Sequence, residues 1–359
     1  MGFMKAFLEP YYGGSHKSFA DSVIKRFPDE FMLFTLPPRH WKWRMHGSAV
    51  TFAEQVIATA IEFSEIFVTS LTDLALLKSL LGSRLPKCRY TIYFHENQLS
   101  YPWSDIDKGP EERKDMHYGF LNFTSALTAD RVVFNSEFNK DSFFNNLTPF
   151  LRSFPDCRLD KRIDEILKKS EVIYPGIEPV PEFERIGNEV AVILWNHRWE
   201  YDKNPDEFFL ALFKLKEKGI EFKLAVAGEE KVRAPEIFGV AKEKLKNEII
   251  SFGYLENREQ YIKLLKKSDI IPVTSNHEFF GISVLEAASA GVIPLLPKRL
   301  SYPELFPLEN FSHLYYENGQ LAEYIEKTIL KINRFDRTQI KKRADLFNNS
   351  QSLSAFLKF

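Results

Sequence analysis

At 359 residues, with 44% hydrophobic content and 33 phenylalanines, the chain carries more apolar material than one ordinary core absorbs, and two domains of comparable size are expected. The 48 basic and 49 acidic side chains leave a formal net charge of −1, which excludes a protein-wide polyanion-binding field and confines any nucleic-acid contact to a local patch. Cys88 and Cys157 are the only cysteines; a disulfide framework is excluded and neither has the spacing to histidine of a zinc site. No apolar run reaches membrane-spanning length and the opening residues lack a signal-peptide core, so a cytoplasmic protein without stable membrane association is expected.

Lys5 to Glu9 reads as a strand, Pro10 to His16 as a glycine turn, and Phe19 to Phe27 as an amphipathic helix. Together they make the first βα unit of a doubly wound sheet. Gly13 and Gly14 then fall at a strand's carboxyl end, where such sheets bind ligands, although a double glycine also suits a plain tight turn. After a second strand, Glu30 to Leu36, the run Pro37 to His46 interleaves Arg39, Lys42 and Arg44 with Trp41 and Trp43. Cations beside flat indoles can hold single-stranded bases; the same composition fits a loop pinned by buried tryptophans. A helix over Phe52 to Ile61, a strand over Ile66 to Thr69, a helix over Asp73 to Leu81 and a strand over Arg89 to Phe94 follow. That last strand runs into His95, Glu96, Asn97 and Gln98, a polar cluster that needs partners at the end of a buried strand and points to a site. Residues 111 to 126 lead through a helix, Arg131 to Ser136 is a strand with Ser136 capping the next helix, and residues 158 to 171 form a solvated helix. After a final strand over Glu171 to Glu178, Pro179 and Pro181 mark a boundary. Domains over 1–180 and 188–345 are expected, with a tail over 346–359 docking at the domain junction.

The second half repeats the alternation. A strand over Glu189 to Trp195 leads into a turn carrying Arg198 and Lys203, then a helix over Asp206 to Lys216. Strands over Phe222 to Glu229 and Ile249 to Leu255 and a helix over Glu259 to Lys266 follow. The stretch Lys266 to Leu296 reads as strand, polar turn and helix, with Gly281 opening the helix and Gly291 closing it. Such a turn directs unpaired N–H groups and the positive end of the helix dipole at an anion such as a diphosphate. Glu278 and Glu286 bracket it, where carboxylates can accept hydrogen bonds from sugar and ribose hydroxyls. All four charged residues equally fit a solvated surface on this evidence alone. A strand over Val292 to Leu296 and a helix over Leu321 to Ile332 complete the pattern. Asp105-Ile-Asp107 has the form of a cation-binding pair, but its place in a first-half loop reads as surface charge.

Arg198 with Lys203, the Gly253-Tyr-Leu turn, Ser275, Glu278 and Glu286 around Phe279-Phe280-Gly281, and Ala287 with Gly291 resemble the retaining GT-B glycosyltransferases of the family 4 type. Over the first half, Tyr12-Gly-Gly-Ser-His-Lys17, Thr35-Leu-Pro, Trp41-Lys-Trp-Arg44, Tyr93-Phe-His-Glu-Asn-Gln-Leu99 and Val133-Phe-Asn-Ser136, with His197-Arg-Trp-Glu200 beyond them, look like the tRNA-queuosine α-mannosyltransferase group. The resemblance implies an α/β architecture of two Rossmann-like domains facing across a cleft. It implies mannose transfer from GDP-mannose to a cyclopentene hydroxyl of queuosine in tRNA, with no metal and no further cofactor. By it, Arg198 and Lys203 hold the diphosphate, Glu286 the ribose, and Glu278 with the backbone of Phe279, Phe280, Gly281 and Ile282 the sugar and phosphate. His95 and Gly14 approach the sugar from the first domain. Candidates for tRNA contact are His16, Arg39, Trp41, Lys42, Trp43, Arg44, Asn97 and Gln98. A family 4 transferase acting on a glycan or lipid, with Trp41 and Trp43 at a membrane edge, and a non-catalytic module that binds nucleotide sugar or tRNA are the alternatives.

Overall fold

The computed structural model describes residues 4–102, 116–156, 158–185, 187–229 and 234–357. Asp105-Ile-Asp107, the start of the helix expected from residue 111, and Cys157 lie outside them. The chain divides into two units, residues 1–176 with 349–359 and residues 177–348.

The first unit is a six-stranded parallel sheet built from β1 (Lys5–Glu9), β2 (Phe31–Thr35), β3 (Glu65–Thr69), β4 (Arg89–Phe94), β5 (Arg131–Phe134) and β6 (Ser170–Val172), in the order β2-β1-β3-β4-β5-β6. Parallel strands covered on both faces must be apolar throughout, and successive residues supply the two cores. Ala6, Leu8, Ile66, Val68, Ile92 and Phe94 face one side. There they pack under α2 (Trp41–Ala58), α3 (Leu74–Leu81), α4 (His117–Thr128) and α5 (Glu137–Arg152). Phe7, Phe67, Tyr93 and Val133 face the other, where they meet α1 (Gly14–Arg26) through Phe19, Ala20 and Val23. One helix does not cover that face. The chain terminus completes it: Leu353 and Phe356 are buried, and Phe356 lies 5.5 Å from Phe19, 5.4 Å from Phe67 and 5.8 Å from Tyr93 between ring centroids.

The tail expected to act as one piece from residue 346 is therefore split. Residues 346–348 belong to the second unit and the apolar remainder fills the open sheet face of the first. The transition between units falls at Gly176 and Ile177, a few residues ahead of the boundary expected at Pro179 and Pro181. Gly176 adopts φ +78°, and a Cβ there would meet Asn349 Oδ1 at 2.4 Å, so the position where the chain leaves the first unit is packed against the position where it returns.

Two helices begin earlier than their composition suggests. α1 starts at Gly14 rather than Phe19, and α2 starts at Trp41 rather than Phe52. The run expected as a loop through His46 is thus the first turns of a long helix. Its buried stripe is Met45, Ser48, Ala49, Phe52, Ala53 and Val56; small Ser48 and Ala49 obscure an i, i+3, i+4, i+7 pattern that packing makes plain. The helix expected over 158–171 is in contrast only a 3₁₀ turn, Asp160–Arg162, and a short piece, Ile163–Leu167.

The second unit is also six-stranded and parallel. Its strands are β7 (Val192–Trp195), β8 (Lys223–Ala227), β9 (Ile249–Gly253), β10 (Ile270–Pro272), β11 (Ile293–Pro297) and β12 (Tyr315–Tyr316), ordered β12-β11-β10-β7-β8-β9. That is the strand order of a dinucleotide-binding sheet, whose direction of winding reverses between its first and fourth strands, here β7 and β10. The turns leaving those two neighbouring strands therefore emerge side by side. Helices α6 (Pro205–Glu217), α7 (Arg258–Lys267) and α8 (Ile282–Ser289) return from them and from β9. A helix over Ile237–Lys244, which no motif announced, fills the β8–β9 crossover.

Candidate donor site and a buried histidine cluster

In the second unit the two switch-point turns are stitched together. The backbone N–H of Asn276 donates to Asp202 O at 2.8 Å, the Thr274 hydroxyl donates to Lys203 O at 2.8 Å, and the Lys203 ammonium donates to His277 O at 2.8 Å. Lys203 is only 6% exposed, and its Nζ also lies 3.2 Å from both Glu278 Oε2 and Asp202 Oδ2. It is a buried strut under the 273–281 turn, anchored by Asn204, whose left-handed backbone (φ +50°) and side-chain cap start α6 at Pro205. Burial penalises the Lys203 charge, but Glu278 and Asp202 more than offset it and raise its pKa. Burial likewise disfavours a charged Glu278; the Lys203 ammonium, His197 and the Phe280 N–H outweigh it and bring that carboxyl down to about 2. The pair is ionised at neutral pH.

Glu278 Oε1 accepts from the Phe280 N–H at 3.3 Å, which fixes the turn leading to Gly281. Gly281 has φ +106°, and a Cβ there would meet Leu305 Cδ1 at 3.1 Å; both facts favour glycine at the mouth of α8. Phe279 and Phe280 are buried, Ile282 is half-buried, and the Val284 and Leu285 amides bond back to Gly281 O. Arg198, on the adjacent turn, has its side chain 47% exposed and its Nη1 2.9 Å from Glu200. The turn is backed closely, since a Cβ on Gly228 would strike His197 O at 2.2 Å.

Glu286 lies one turn into α8. Its Oε1 lies 2.6 Å from Arg258 Nη1 and its Oε2 accepts from the Tyr261 hydroxyl at 3.1 Å. Tyr261 Oη in turn accepts from Asn196 Nδ2 at 2.9 Å. Burial raises the Glu286 carboxyl's pKa, with Arg258 and Tyr261 opposing. His197, 4% exposed, is held at Nδ1 by the Ser283 hydroxyl at 3.1 Å, while its Nε2 has no partner. Burial, reinforced by Lys203, takes it down to about 4, so it is a neutral ring. The buried Asn196 Oδ1 is also unpaired. Unpaired buried polar atoms around a strand–turn–helix junction are the features of a site that expects a polar ligand. Arg258, Tyr261 and Asn196 were not legible as site residues, because α7, which carries the first two, and the turn after β7, which carries the third, are brought together only by the sheet order.

The first unit gathers its polar residues at its own switch point, the ends of β1, β3 and β4. Glu9 is fully buried, and its Oε1 accepts from the Tyr11 N–H at 2.9 Å and lies 3.1 Å from His16 Nδ1. His16 Nε2 lies 3.3 Å from Glu96 Oε2, and the Ser70 hydroxyl reaches Glu96 Oε1 at 3.5 Å. Burial opposes charge on His16, but the two carboxylates prevail and raise its pKa to about 10. The His95 ring sits 4.2 Å from it between centroids, 8% exposed, with Nε2 unpaired. Burial first, and then the His16 charge, push His95 well below the usual range, so it is neutral. Glu9, His16 and His95 place potential ligand atoms within 4.8 Å of one another. With both ring nitrogens protonated, His16 donates one N–H to Glu9 and the other to Glu96 and bridges the two acids.

Gly14 has φ +52° and open space where a Cβ would lie, whereas a Cβ on Gly13 would strike Pro38 at 2.5 Å. Of the expected tRNA contacts, Asn97 is internal. It donates to Asn139 Oδ1 at 2.8 Å and Ser142 at 3.0 Å, accepts from the Ser100 N–H at 3.0 Å, and is 0% exposed. Gln98 is 8% exposed, its N–H bonded to Asn122. Arg39 is exposed; Trp41, Lys42 and Arg44 are half-buried, with the Arg44 guanidinium on Pro37 O. Trp43 is 67% exposed.

Two Rossmann-type units in tandem, with an anion-directed turn and flanking acids in the second, define a glycosyltransferase of the GT-B class. Solved structures agree in fold: HepE from Anabaena in complex with UDP (TM-score 0.71, 15% identity, covering 98% of each chain) and sucrose-phosphate synthase from Thermosynechococcus elongatus (TM-score 0.70, 13% identity, 98% of this chain and 97% of that one). Residues 5–177 match the tRNA-queuosine alpha-mannosyltransferase N-terminal model and residues 177–350 the glycosyl transferases group 1 model. The tRNA-queuosine alpha-mannosyltransferase of Drosophila melanogaster is 37% identical over 356 residues, 95% of this chain and 90% of that one. The chain belongs to the tRNA-queuosine alpha-mannosyltransferase family. A more distant similarity, 24% over 226 residues covering 62% of this chain and 52% of the other, is to the GDP-mannose:cellobiosyl-diphosphopolyprenol alpha-mannosyltransferase of Xanthomonas campestris.

Proposed function

We propose that this protein moves mannose from GDP-mannose, with retention, to a cyclopentene hydroxyl of queuosine in tRNA. The observation that carries the reading is the stitched pair of turns at the β7/β10 switch point, which holds the approach to the α8 terminus and the Lys203–Glu278 pair as one preorganised unit, with Arg198 on the same β7 turn. In the transfer the acceptor oxygen bonds to C1 of the sugar as the C1–O bond to the β-phosphate breaks. GDP leaves with the electron pair, and the hydroxyl proton passes to the departing phosphate oxygen. Arg198 and the turn amides stabilise the charge that builds there, a task that fixed dipoles and cations perform without reorganisation and without need of a metal. Lys203 holds the turn at the height where those amides converge. In this reading Glu286, held by Arg258 and Tyr261, takes the ribose, and Glu278 with the 279–282 backbone takes the sugar and phosphate. Membership in a tRNA-queuosine family across both units supports the acceptor, and the GDP-mannose in the name of the Xanthomonas relative supports the donor. Among the described residues no helix is long and apolar enough to cross a membrane.

The test is purified protein with GDP-mannose and queuosine-containing tRNA, followed by nucleoside mass analysis. A hexose added to queuosine is expected. Transfer from a uridine or adenosine diphosphate sugar in its place would refute the donor assignment, and transfer to a lipid or glycan with none to tRNA would refute the acceptor.

A further inference from the structure

Outside the sites above, the first unit has a second concavity, about 490 Å³, lined by His40, Trp41, Lys42, Trp43, His46 and Tyr118. Its size lies in the range of small-molecule sites, about 300–1,000 Å³, and its walls are almost entirely planar rings. Trp41 and Tyr118 approach with centroids 5.2 Å apart, His46 and Tyr118 5.6 Å apart, and Lys42 Nζ lies over the Trp41 ring at 5.7 Å. His46 is stacked on His117 at 5.0 Å with an interplanar angle of 13°. Trp43 stands at the rim, 67% exposed, with the small Gly47 one turn below it; a Cβ there would come within 3.3 Å of the indole nitrogen. An indole left so exposed at a helix start, beside a concavity of other rings, is a poor use of apolar surface unless something flat covers it.

The charge of the sequence that builds it says what that is. Between Glu30 and Glu54 there is no acidic residue, while Arg39, His40, Lys42, Arg44 and His46 all fall in that interval. In a chain of net charge −1 this is a cationic run of sequence interleaved with stacking faces, the combination that holds an unstacked nucleotide by its base and its phosphate.

Resting on the tRNA reading above, we infer that the concavity on the N-terminal turns of α2 takes one splayed-out nucleobase of the acceptor RNA, stacked on Trp43, with its phosphates beside Arg39 and Lys42. The recognised chemistry is a single-stranded nucleotide of the anticodon loop other than the queuosine that is modified. The site makes the enzyme prefer an RNA loop to the isolated nucleoside and does not take part in the sugar transfer.

The experiment compares the full-length chain with its Trp43→Ala, Trp43→Phe and Lys42→Ala variants on an anticodon stem–loop RNA containing queuosine. It measures KM and kcat for the RNA, KM for GDP-mannose, and quenching of tryptophan fluorescence on RNA titration. Trp43→Ala is expected to raise the KM for RNA about tenfold, the scale of a lost base–aromatic stack, with little of the effect on kcat and with the KM for GDP-mannose unmoved. Trp43→Phe restores most of the loss, Lys42→Ala lowers the dependence of RNA binding on salt, and the quenching signal falls in both Trp43 variants by the share that Trp43 contributes. An unchanged KM for RNA in Trp43→Ala overturns the inference. So does binding of the wild type, but not of Trp43→Ala, to anionic phosphatidylserine vesicles with RNA kinetics unaffected, which would make the surface a membrane edge. If no mannose is transferred by any variant, the catalytic reading fails, and the fluorescence titration still decides this one.

Discussion

The Glu9–His16–Glu96 cluster makes a quantitative claim about the folded state. His16 is protonated in the fold with a pKa of about 10, whereas in the unfolded chain an imidazole has a pKa near ~6.5. Folding therefore takes up a proton between those values. Because the folded pKa is the higher one, the stabilisation is fully present below pH ~6.5 and is lost as pH rises through about 10. A difference of roughly 3.5 units at ~1.36 kcal/mol each gives about 5 kcal/mol at acid pH, about 4 kcal/mol at pH ~7, and almost none at pH ~10. The perturbation is the double variant Glu9→Gln/His16→Gln, which removes the ring and the buried carboxylate together. His16→Gln alone would leave Glu9, at 0% exposure, without its counter-charge, and should cost about 3–5 kcal/mol. Urea unfolding of wild type and double variant from pH ~6.5 to ~9.5 gives the difference, with Trp41 and Trp43 reporting on the first unit. That difference should fall by about 3 kcal/mol across the window. Parallel stability curves would refute the protonated bridge.

Arg198→Ala is expected to lower kcat by about a hundredfold, the usual cost of removing a charge donor from a developing anion, with the melting temperature unchanged because the guanidinium is half exposed; a fully active variant would remove Arg198 from the mechanism. Gly281→Ala combines a positive φ with a 3.1 Å contact to Leu305, and should cost about 1–3 kcal/mol in stability and raise the KM for the donor by displacing the turn amides, read by thermal melting and steady-state kinetics. Phe356→Ala strips an aromatic from the sheet face it shares with Phe19, Phe67 and Tyr93. A loss of about 3–5 kcal/mol is expected in urea unfolding, and a neutral result would show that the terminus does not cover that face.

The alternation of strand and helix, the carboxyl-end turns and the Gly281 helix start were legible in the sequence because each is a local signature. A buried parallel strand must be a continuous apolar run, and a glycine with positive φ at a helix mouth is needed whatever surrounds it. Ser136 as the cap of α5 was legible for the same reason, and its hydroxyl indeed accepts from the Asn139 N–H at 2.9 Å. Where α2 begins was not. Trp41 to His46 could be a loop or a helix until the stripe from Met45 to Val56 is seen to be buried.

The partners within the two sites were decided by tertiary structure alone. His16 is bridged by acids 7 positions before it and 80 after it, Lys203 by a carboxylate 75 positions on, and Glu286 by a tyrosine from a different crossover. None of those separations has a period. Strand order sets them, since it chooses which turns emerge side by side. The terminus shows the same division. That it would dock was expected from the sequence, but its destination depended on which face of which sheet had a single helix to cover it.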